Sequence, residues 1–226
     1  MLIQYTLNSK ICGKVNLVAA RVVCSTLLCL FLPLTSWAGT ATTNDWIDLF
    51  NGRDLAGWRE NRFAHQPHWE VKDGVLVGQG GQGYLASEKE FADLELNAEV
   101  RISDVGQARG NSGVYFRCQP HKDLTQEYPA GYEAQCDHGD HNNPTGSIYN
   151  LGIPGARAPM PQVKDGEWFT LRVVAQGNHL QTWVNGKPAA DCLDPQNRYQ
   201  KGYILLQMHH RTGVVEYRKV RVRSLS

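Results

Sequence analysis

From residue 68 to the C-terminus the chain is built of short runs in which polarity alternates at every second residue, most of them closed by Gly, Asp, Asn or Pro. That period sends successive side chains to opposite faces of an extended strand and cannot line one face of a helix. HWEV (68–71), VLVG (75–78), LELNAEVRI (94–102), SGVYFRC (112–118), GYEAQCD (131–137), SIYNL (147–151), WFTLRVVAQ (168–176), HLQTWVNG (179–186), GYILLQMH (202–209) and VVEYRKVRV (214–222) read as strands, because they combine alternation with β-branched and aromatic residues. Lys72-Asp73-Gly74, Gly177-Asn178 and Asn185-Gly186 supply hairpin turns, since Gly and Asn accept positive φ at low cost. No stretch offers three turns of helical periodicity, and ASEKEFADLEL (86–96) is expected to hold one short turn before a strand. The pattern predicts an all-β sandwich of roughly ten to twelve antiparallel strands.

Charge narrows the partners. The 226 residues carry 23 Lys plus Arg against 22 Asp plus Glu, a formal net charge of +1, which argues against nucleic acid. Residues 22–34, VVCSTLLCLFLPL, form a 13-residue apolar run preceded by Lys10, Lys14 and Arg21 and followed by Ser36-Trp37-Ala38. A span of the bilayer takes about 20 apolar residues, so the run is expected to be a signal peptide over 1–38, cleaved after Ala38, and not a membrane anchor. A periplasmic or secreted location follows. Residues 39–45 read as a short linker and 46–226 as one domain.

Three cysteines remain after the signal peptide, Cys118, Cys136 and Cys192, and no CxxC zinc signature accompanies them. In the strand registers above, Cys118 and Cys136 both face the layer between the sheets. They are expected as buried thiols, with a bridge open to them only if their Cα atoms come within about 7 Å.

The same alternation assembles a polar face. In SGVYFRC, Gly113, Tyr115 and Arg117 share one side; in GYEAQCD, Glu133, Gln135 and Asp137 do; in GYILLQMH, Tyr203, Leu205, Gln207 and His209; and in SIYNL, Ser147 and Tyr149. A merely solvated face would be dressed in Lys, Glu, Thr and Ser. Arg, Glu, Gln, Asp, His and Tyr are instead the types that hold sugars, through planar hydrogen bonds and ring contacts. The long polar loops 138–146 and 152–166 are expected to border this face.

DLFNGRDLAGW (48–58), HWEVKDGVLVG (68–78), FADLELNAEVRI (91–102), GNSGVYFR (110–117), GYEAQCD (131–137), TGSIYNL (145–151), GEWFTLRVVAQGNHLQTWVNG (166–186) and GYILLQMH with VEYRKVRV (202–222) together resemble, in order and wording, the 3-keto-disaccharide hydrolase family. The resemblance implies a concanavalin A-like jelly-roll sandwich whose concave sheet carries a carbohydrate site, and cleavage of glycosides already oxidised at carbon 3. The chain departs from the family pattern at Phe169 and Lys219, where the family usually has Asn, and at His210-Arg211, where a Gly usually follows His209.

A ketone at carbon 3 acidifies the hydrogen on carbon 2, so the chemistry calls for a base, a stabiliser of the enolate and an acid for the leaving oxygen. Glu133 or His209 is the expected base, Asp137 an acid or the group that orients His209, Arg117 the enolate stabiliser, and Gln135, Tyr149 and Gln207 the holders of sugar hydroxyls. Glu133, Asp137, His138, Asp140, His141 and His209 also carry enough oxygen and nitrogen donors to make a divalent metal ion a candidate cofactor. The alternative function is a non-catalytic carbohydrate-binding module on the same fold.

Overall fold

Thirteen strands and no helix make up the described part of the computed structural model, which covers residues 45–62, 67–104, 110–119, 129–161, 163–209 and 211–226. The expected signal peptide and residues 39–44 of the linker lie outside the described residues. In chain order the strands are β1 (Ile47–Asp48), β2 (Trp58–Arg62), β3 (His68–Lys72), β4 (Val75–Gln79), β5 (Gly83–Phe91), β6 (Leu94–Asp104), β7 (Asn111–Gln119), β8 (Ala130–Asp137), β9 (Trp168–Gln176), β10 (His179–Val184), β11 (Lys187–Leu193), β12 (Gly202–Met208) and β13 (Gly213–Ser224). One sheet has eight strands, ordered β11-β10-β9-β6-β13-β4-β3 with β1 also on β13; the other has five, ordered β2-β5-β12-β7-β8. Every pairing is antiparallel, so the fold is the two-sheet sandwich the alternation predicts.

The core lies between the sheets. Leu94, Leu96, Ala98, Val100 and Ile102 of β6, with Phe169, Leu171, Val173 and Ala175 of β9, meet Val114 and Phe116 of β7, Tyr132, Ala134 and Cys136 of β8, and Ile204, Leu206 and Met208 of β12. Each set occupies alternate positions, so half of each strand leaves water and half faces away from the core. Hairpins form where expected: Asp73 and Gly74 have φ of 50° and 77°, and Asn185 and Gly186 of 49° and 75°, the left-handed pairs of a type I′ turn. A polar link crosses the core, where the Tyr217 hydroxyl lies 2.7 Å from Ser112 Oγ, and Ser112 Oγ donates to the Gln207 carbonyl at 2.7 Å.

Four expectations change. Residues 86–96 hold no helical turn: β5 runs to Phe91 and turns at Ala92-Asp93 into β6. Strands β1, β2, β5 and β11 are additions to the expected set. SIYNL is not a full strand; one bridge joins Ile148 to Ala134. Finally, β7 carries a bulge. Arg117 sits at φ 52°, and the β7–β8 register slips between Phe116 and Gln119, which reverses the faces of the residues that follow.

The bulge brings β7 so close to β12 that a Cβ at Gly202 would stand 2.3 Å from the Cys118 carbonyl oxygen, so only glycine fits there. Cys118 turns outward and packs with Tyr84, Ala86, Tyr115 and Leu205, while Cys136 stays in the main core. Facing opposite layers, the two cannot bridge, and all three thiols are free and buried.

Candidate active site

The outward face of the five-stranded sheet collects polar residues of β5, β12, β7 and the edge strand β8. Register places Glu133 of β8 beside Tyr115 of β7, Tyr115 beside Leu205 of β12, and Gln207 of β12 beside Tyr84 of β5. Glu133 is 6% exposed. Its carboxyl leans over Gly113, where an added Cβ would lie 2.0 Å from Oε1. Burial raises its pKa to about 8, opposed in part by a hydrogen bond from the Tyr115 hydroxyl. Burial also drives the Tyr115 and Tyr84 hydroxyls above the ordinary phenol range, so both stay protonated as donors. Their rings meet edge to face at 5.3 Å, and the Gln207 side-chain nitrogen lies 3.4 Å from each hydroxyl.

Gly113 is the floor on which the carboxylate rests. Gly113→Ala is expected to displace the Glu133 carboxyl by about an ångström, a shift that in a catalytic group costs about a hundredfold in turnover. Its melting temperature should fall only modestly, because the added methyl meets the end of a side chain and not backbone. Turnover and calorimetry on the same preparation check this.

Beside Glu133 opens a cavity of about 430 Å³, within the range of small-molecule sites. Its wall includes Tyr115, Tyr132, Glu133, Tyr149, Arg198 and Tyr199. Tyr149 arrives through residues 145–149, which run along the free edge of β8: the Thr145 N–H donates to the Asp137 carbonyl, Gly146 to Gln135, and Tyr149 to Glu133, while Gln135 donates to Ser147. Burial, then the nearby charges of Glu133, Asp140 and Asp137, raise the Tyr149 pKa. Arg198 comes from the loop after β11. Its Nε donates to Gln196 Oε1 at 3.0 Å and lies 3.6 Å from Asp194 Oδ1.

The structure therefore brings Glu133, Tyr149 and Gln207 to one region and separates others from it. Gln135 is buried on the same face, its Oε1 accepting from the Cys136 N–H at 3.1 Å. Asp137 ends β8 fully buried, its Oδ1 accepting from the N–H groups of Gly139 and Asp140 at 2.9 and 3.0 Å, so it shapes the loop that follows. His209 lies one residue past β12, half-buried, outside the described lining of the cavity.

Arg117 is the clear correction. The bulge turns it inward, fully buried, where Nε donates to the Ala92 carbonyl at 2.7 Å, Nη1 to Gly177 and Tyr199 carbonyls at 2.6 and 3.2 Å, and Nη2 to Asp93 Oδ1 at 2.8 Å. Alternation assigned it to the polar face because nothing in SGVYFRC marks a bulge. Arg198, Tyr199 and Tyr132 were missed for the converse reason: the first two sit in DPQNRYQ, which has no period to place them, and Tyr132 has core parity but reaches the rim.

The candidate metal donors do not converge. Among the described residues no group of three or more His, Cys, Asp or Glu side chains could hold an ion. His138 faces the other way, its Nδ1 2.8 Å from Thr145 Oγ1 and its ring edge-to-face with Phe169 at 5.2 Å, and burial lowers its pKa. That donor set does not fit a divalent ion.

Two other clefts offer less chemistry. One of about 250 Å³ is lined largely by Pro159, Met160, Pro161, Val184 and Pro188. Another of about 720 Å³ lies on the outward face of the eight-stranded sheet, between Asn97, Glu99, Thr170, Arg218 and Arg221. Burial there opposes ionisation of Glu99, but hydrogen bonds from Lys219 and Arg218 hold its pKa below the ordinary range, as expected of a structural ion pair.

Comparison with known proteins agrees with this architecture. The sequence profile of the 3-keto-alpha-glucoside-1,2-lyase-like domain family matches residues 45–223. The chain belongs to this family. No curated protein matches it. Among solved structures, two candidate glycosyl hydrolases from Parabacteroides distasonis ATCC 8503 superpose with TM-scores of 0.64 at 21% and 23% identity, covering 80% of this chain and 94% and 100% of theirs. The carbohydrate-binding module CBM66 from Bacillus subtilis superposes with a TM-score of 0.56 at 19% identity, covering 74% of this chain and 96% of its own. At these identities the likeness is one of fold, the concanavalin A-like jelly roll that family membership implies.

Proposed function

We propose that the chain is a glycoside-cleaving enzyme acting on sugars already oxidised to a ketone at carbon 3, by elimination followed by hydration, with Glu133 as the base. The observation that carries this reading is the buried Glu133 carboxyl, poised at a pKa of about 8 in the wall of a cavity of sugar size. A carboxylate so destabilised by burial is a stronger base than an exposed one, and its pKa lies near the pH at which it must work. Family membership supports a carbohydrate ligand and this reaction class.

In the first step Glu133 takes the carbon 2 hydrogen as a proton. The freed electron pair forms the double bond between carbons 1 and 2, in conjugation with the ketone, and the bond from carbon 1 to the leaving oxygen breaks. That oxygen needs a proton, and Tyr149, kept protonated at the cavity wall, is placed to supply it. In the second step, after the Glu133 carboxyl has exchanged its proton with solvent, a water oxygen adds to carbon 1 and passes its proton to the Tyr149 phenolate, while carbon 2 regains a proton from Glu133, which returns both groups to their starting state. The sum is hydrolysis of the glycosidic bond. Paired carboxylates flanking an oxocarbenium ion are not needed. His209, the other expected base, stands outside the described cavity wall, which favours Glu133.

Incubation of the purified domain with a 3-keto-α-glucoside should release free 3-keto sugar, whereas the unoxidised parent glycoside should be cleaved at least about a hundredfold more slowly, since its carbon 2 hydrogen is not acidic. Equal cleavage of the two would refute elimination. Saturable binding of the keto sugar without turnover would leave a carbohydrate-binding role and no catalysis.

A further inference from the structure

We propose that Arg198 is the catalytic residue that stabilises the enolate, gripping the carbon 3 oxygen in the cavity that Glu133 also lines. The assignment rests on the elimination reading above and adds to it the second of the groups that reaction requires. Proton abstraction next to a ketone moves a full negative charge onto the ketone oxygen, so a fixed cation or donor set aimed at that oxygen is the main means of lowering the barrier. Among the described residues of the cavity wall, Arg198 is the one cation.

Its Nε edge is anchored. Nε is engaged by Gln196 Oε1 at 3.0 Å and faces Asp194 at 3.6 Å, while no described hydrogen bond uses its two terminal nitrogens. Asp194 is fully buried and held in turn by the Tyr132 hydroxyl at 2.6 Å and by the N–H groups of Gln196 and Arg198 at 3.1 and 3.0 Å. The next residue is fastened too: the Tyr199 N–H donates to the Tyr132 hydroxyl at 3.3 Å, the two rings meet edge to face at 5.0 Å, and the Tyr199 carbonyl accepts from Arg117. These restraints fix the loop that presents Arg198, whose side chain itself reaches solvent. About a third of the Arg198 side chain stays open to solvent.

Arg198 and Glu133 are also not an ion pair. Burial and the Tyr115 hydroxyl account for the state of the Glu133 carboxyl, and no salt bridge joins it to the guanidinium among the described residues. Both groups line the same cavity, whose volume of about 430 Å³ suits a sugar. A planar fork suits the task, since it can bind the ketone oxygen and a neighbouring hydroxyl together, which a lysine ammonium cannot. Asp194 and Tyr132 are positioning residues for it.

Three variants test the assignment, with 3-keto-α-glucoside turnover and early exchange of the carbon 2 hydrogen with D2O as readouts. Arg198→Gln should lower both by about a hundredfold or more, the usual effect of removing one donor from an oxyanion site, with little change in melting temperature. Arg198→Lys should recover only a small part. Arg198→Ala should be partly rescued by added guanidinium ion, which should do nothing for Glu133→Gln. Wild-type activity in Arg198→Gln would overturn the role of Arg198 while leaving the elimination reading intact. A loss of activity that follows a fall in melting temperature and is not rescued would overturn it in favour of a structural role. Wild-type protein without turnover or exchange would remove both.

Discussion

Glu133→Gln should lose at least about a hundredfold in turnover of a 3-keto glycoside and at the same time gain stability above pH 8. The two effects share one cause. The carboxyl is buried against Gly113 and Tyr115, and its pKa is raised from 4.5 to about 8 by loss of hydration. Between those values the unfolded chain is ionised while the native state keeps the proton, so stability falls as pH rises through that window and the full cost is present above pH 8. Each pKa unit corresponds to about 1.4 kcal/mol, and a neutral amide of the same shape escapes the cost. Melting curves of variant and wild type should coincide at pH 4 and separate progressively to pH 9, with the variant higher. In the wild type, kcat/KM should rise with pH through about 8 and level off beyond, since the base acts only when ionised. A variant that is both inactive and less stable at pH 9 would mean that the carboxyl is held as a structural anion.

The second large effect is structural. Arg117→Ala should lower stability by about 2–4 kcal/mol, through loss of a buried guanidinium and its charge-assisted hydrogen bonds, and the melting temperature by roughly 10 °C. The guanidinium ties three carbonyls and Asp93 across the turn between β5 and β6, the turn between β9 and β10, and the loop bearing Tyr199. Its removal takes away the group that joins these three segments, although Asp93, about a third exposed, can then be hydrated. Lysine cannot replace the fork, so Arg117→Lys should recover little. Activity in Arg117→Ala should decline with the folded fraction. A raised KM at unchanged melting temperature would instead return Arg117 to the sugar.

The contrast between Arg117 and Glu133 shows what the sequence could and could not reveal. Period-two alternation placed Glu133, Gln135 and Gln207 outward and Val114, Phe116, Ala134 and Leu206 inward, because an ordinary strand leaves a side chain no other choice. One extra residue in β7 reversed the order for Arg117 and Cys118, and the features that expose it, the positive φ of Arg117 and the tight approach of Gly202, belong to the tertiary structure. Tyr149 was found although its segment is not a strand, since pairing of residues 145–149 along β8 preserves the alternation. Arg198 was invisible for want of any period in its loop. His138 and Asp137 looked like ligands by type, yet adjacent residues at a strand end point to opposite sides, so His138 meets Phe169 while Asp137 caps its own loop. Strand β5 was obscured by SEKE, whose charges lie on the exposed stretch Glu88–Glu90.

The most direct test of the mechanism is the isotope at carbon 2 of the first product. In D2O, with 3-keto-α-glucoside as substrate and sampling well before uncatalysed exchange, elimination and hydration through Glu133 should deliver free 3-keto sugar carrying one solvent deuterium at carbon 2, and Glu133→Gln should form neither product nor label above the buffer control. Product released at full rate with its original carbon 2 hydrogen retained would contradict the account, because the glycosidic bond would then have broken without Glu133 or any other base removing that proton.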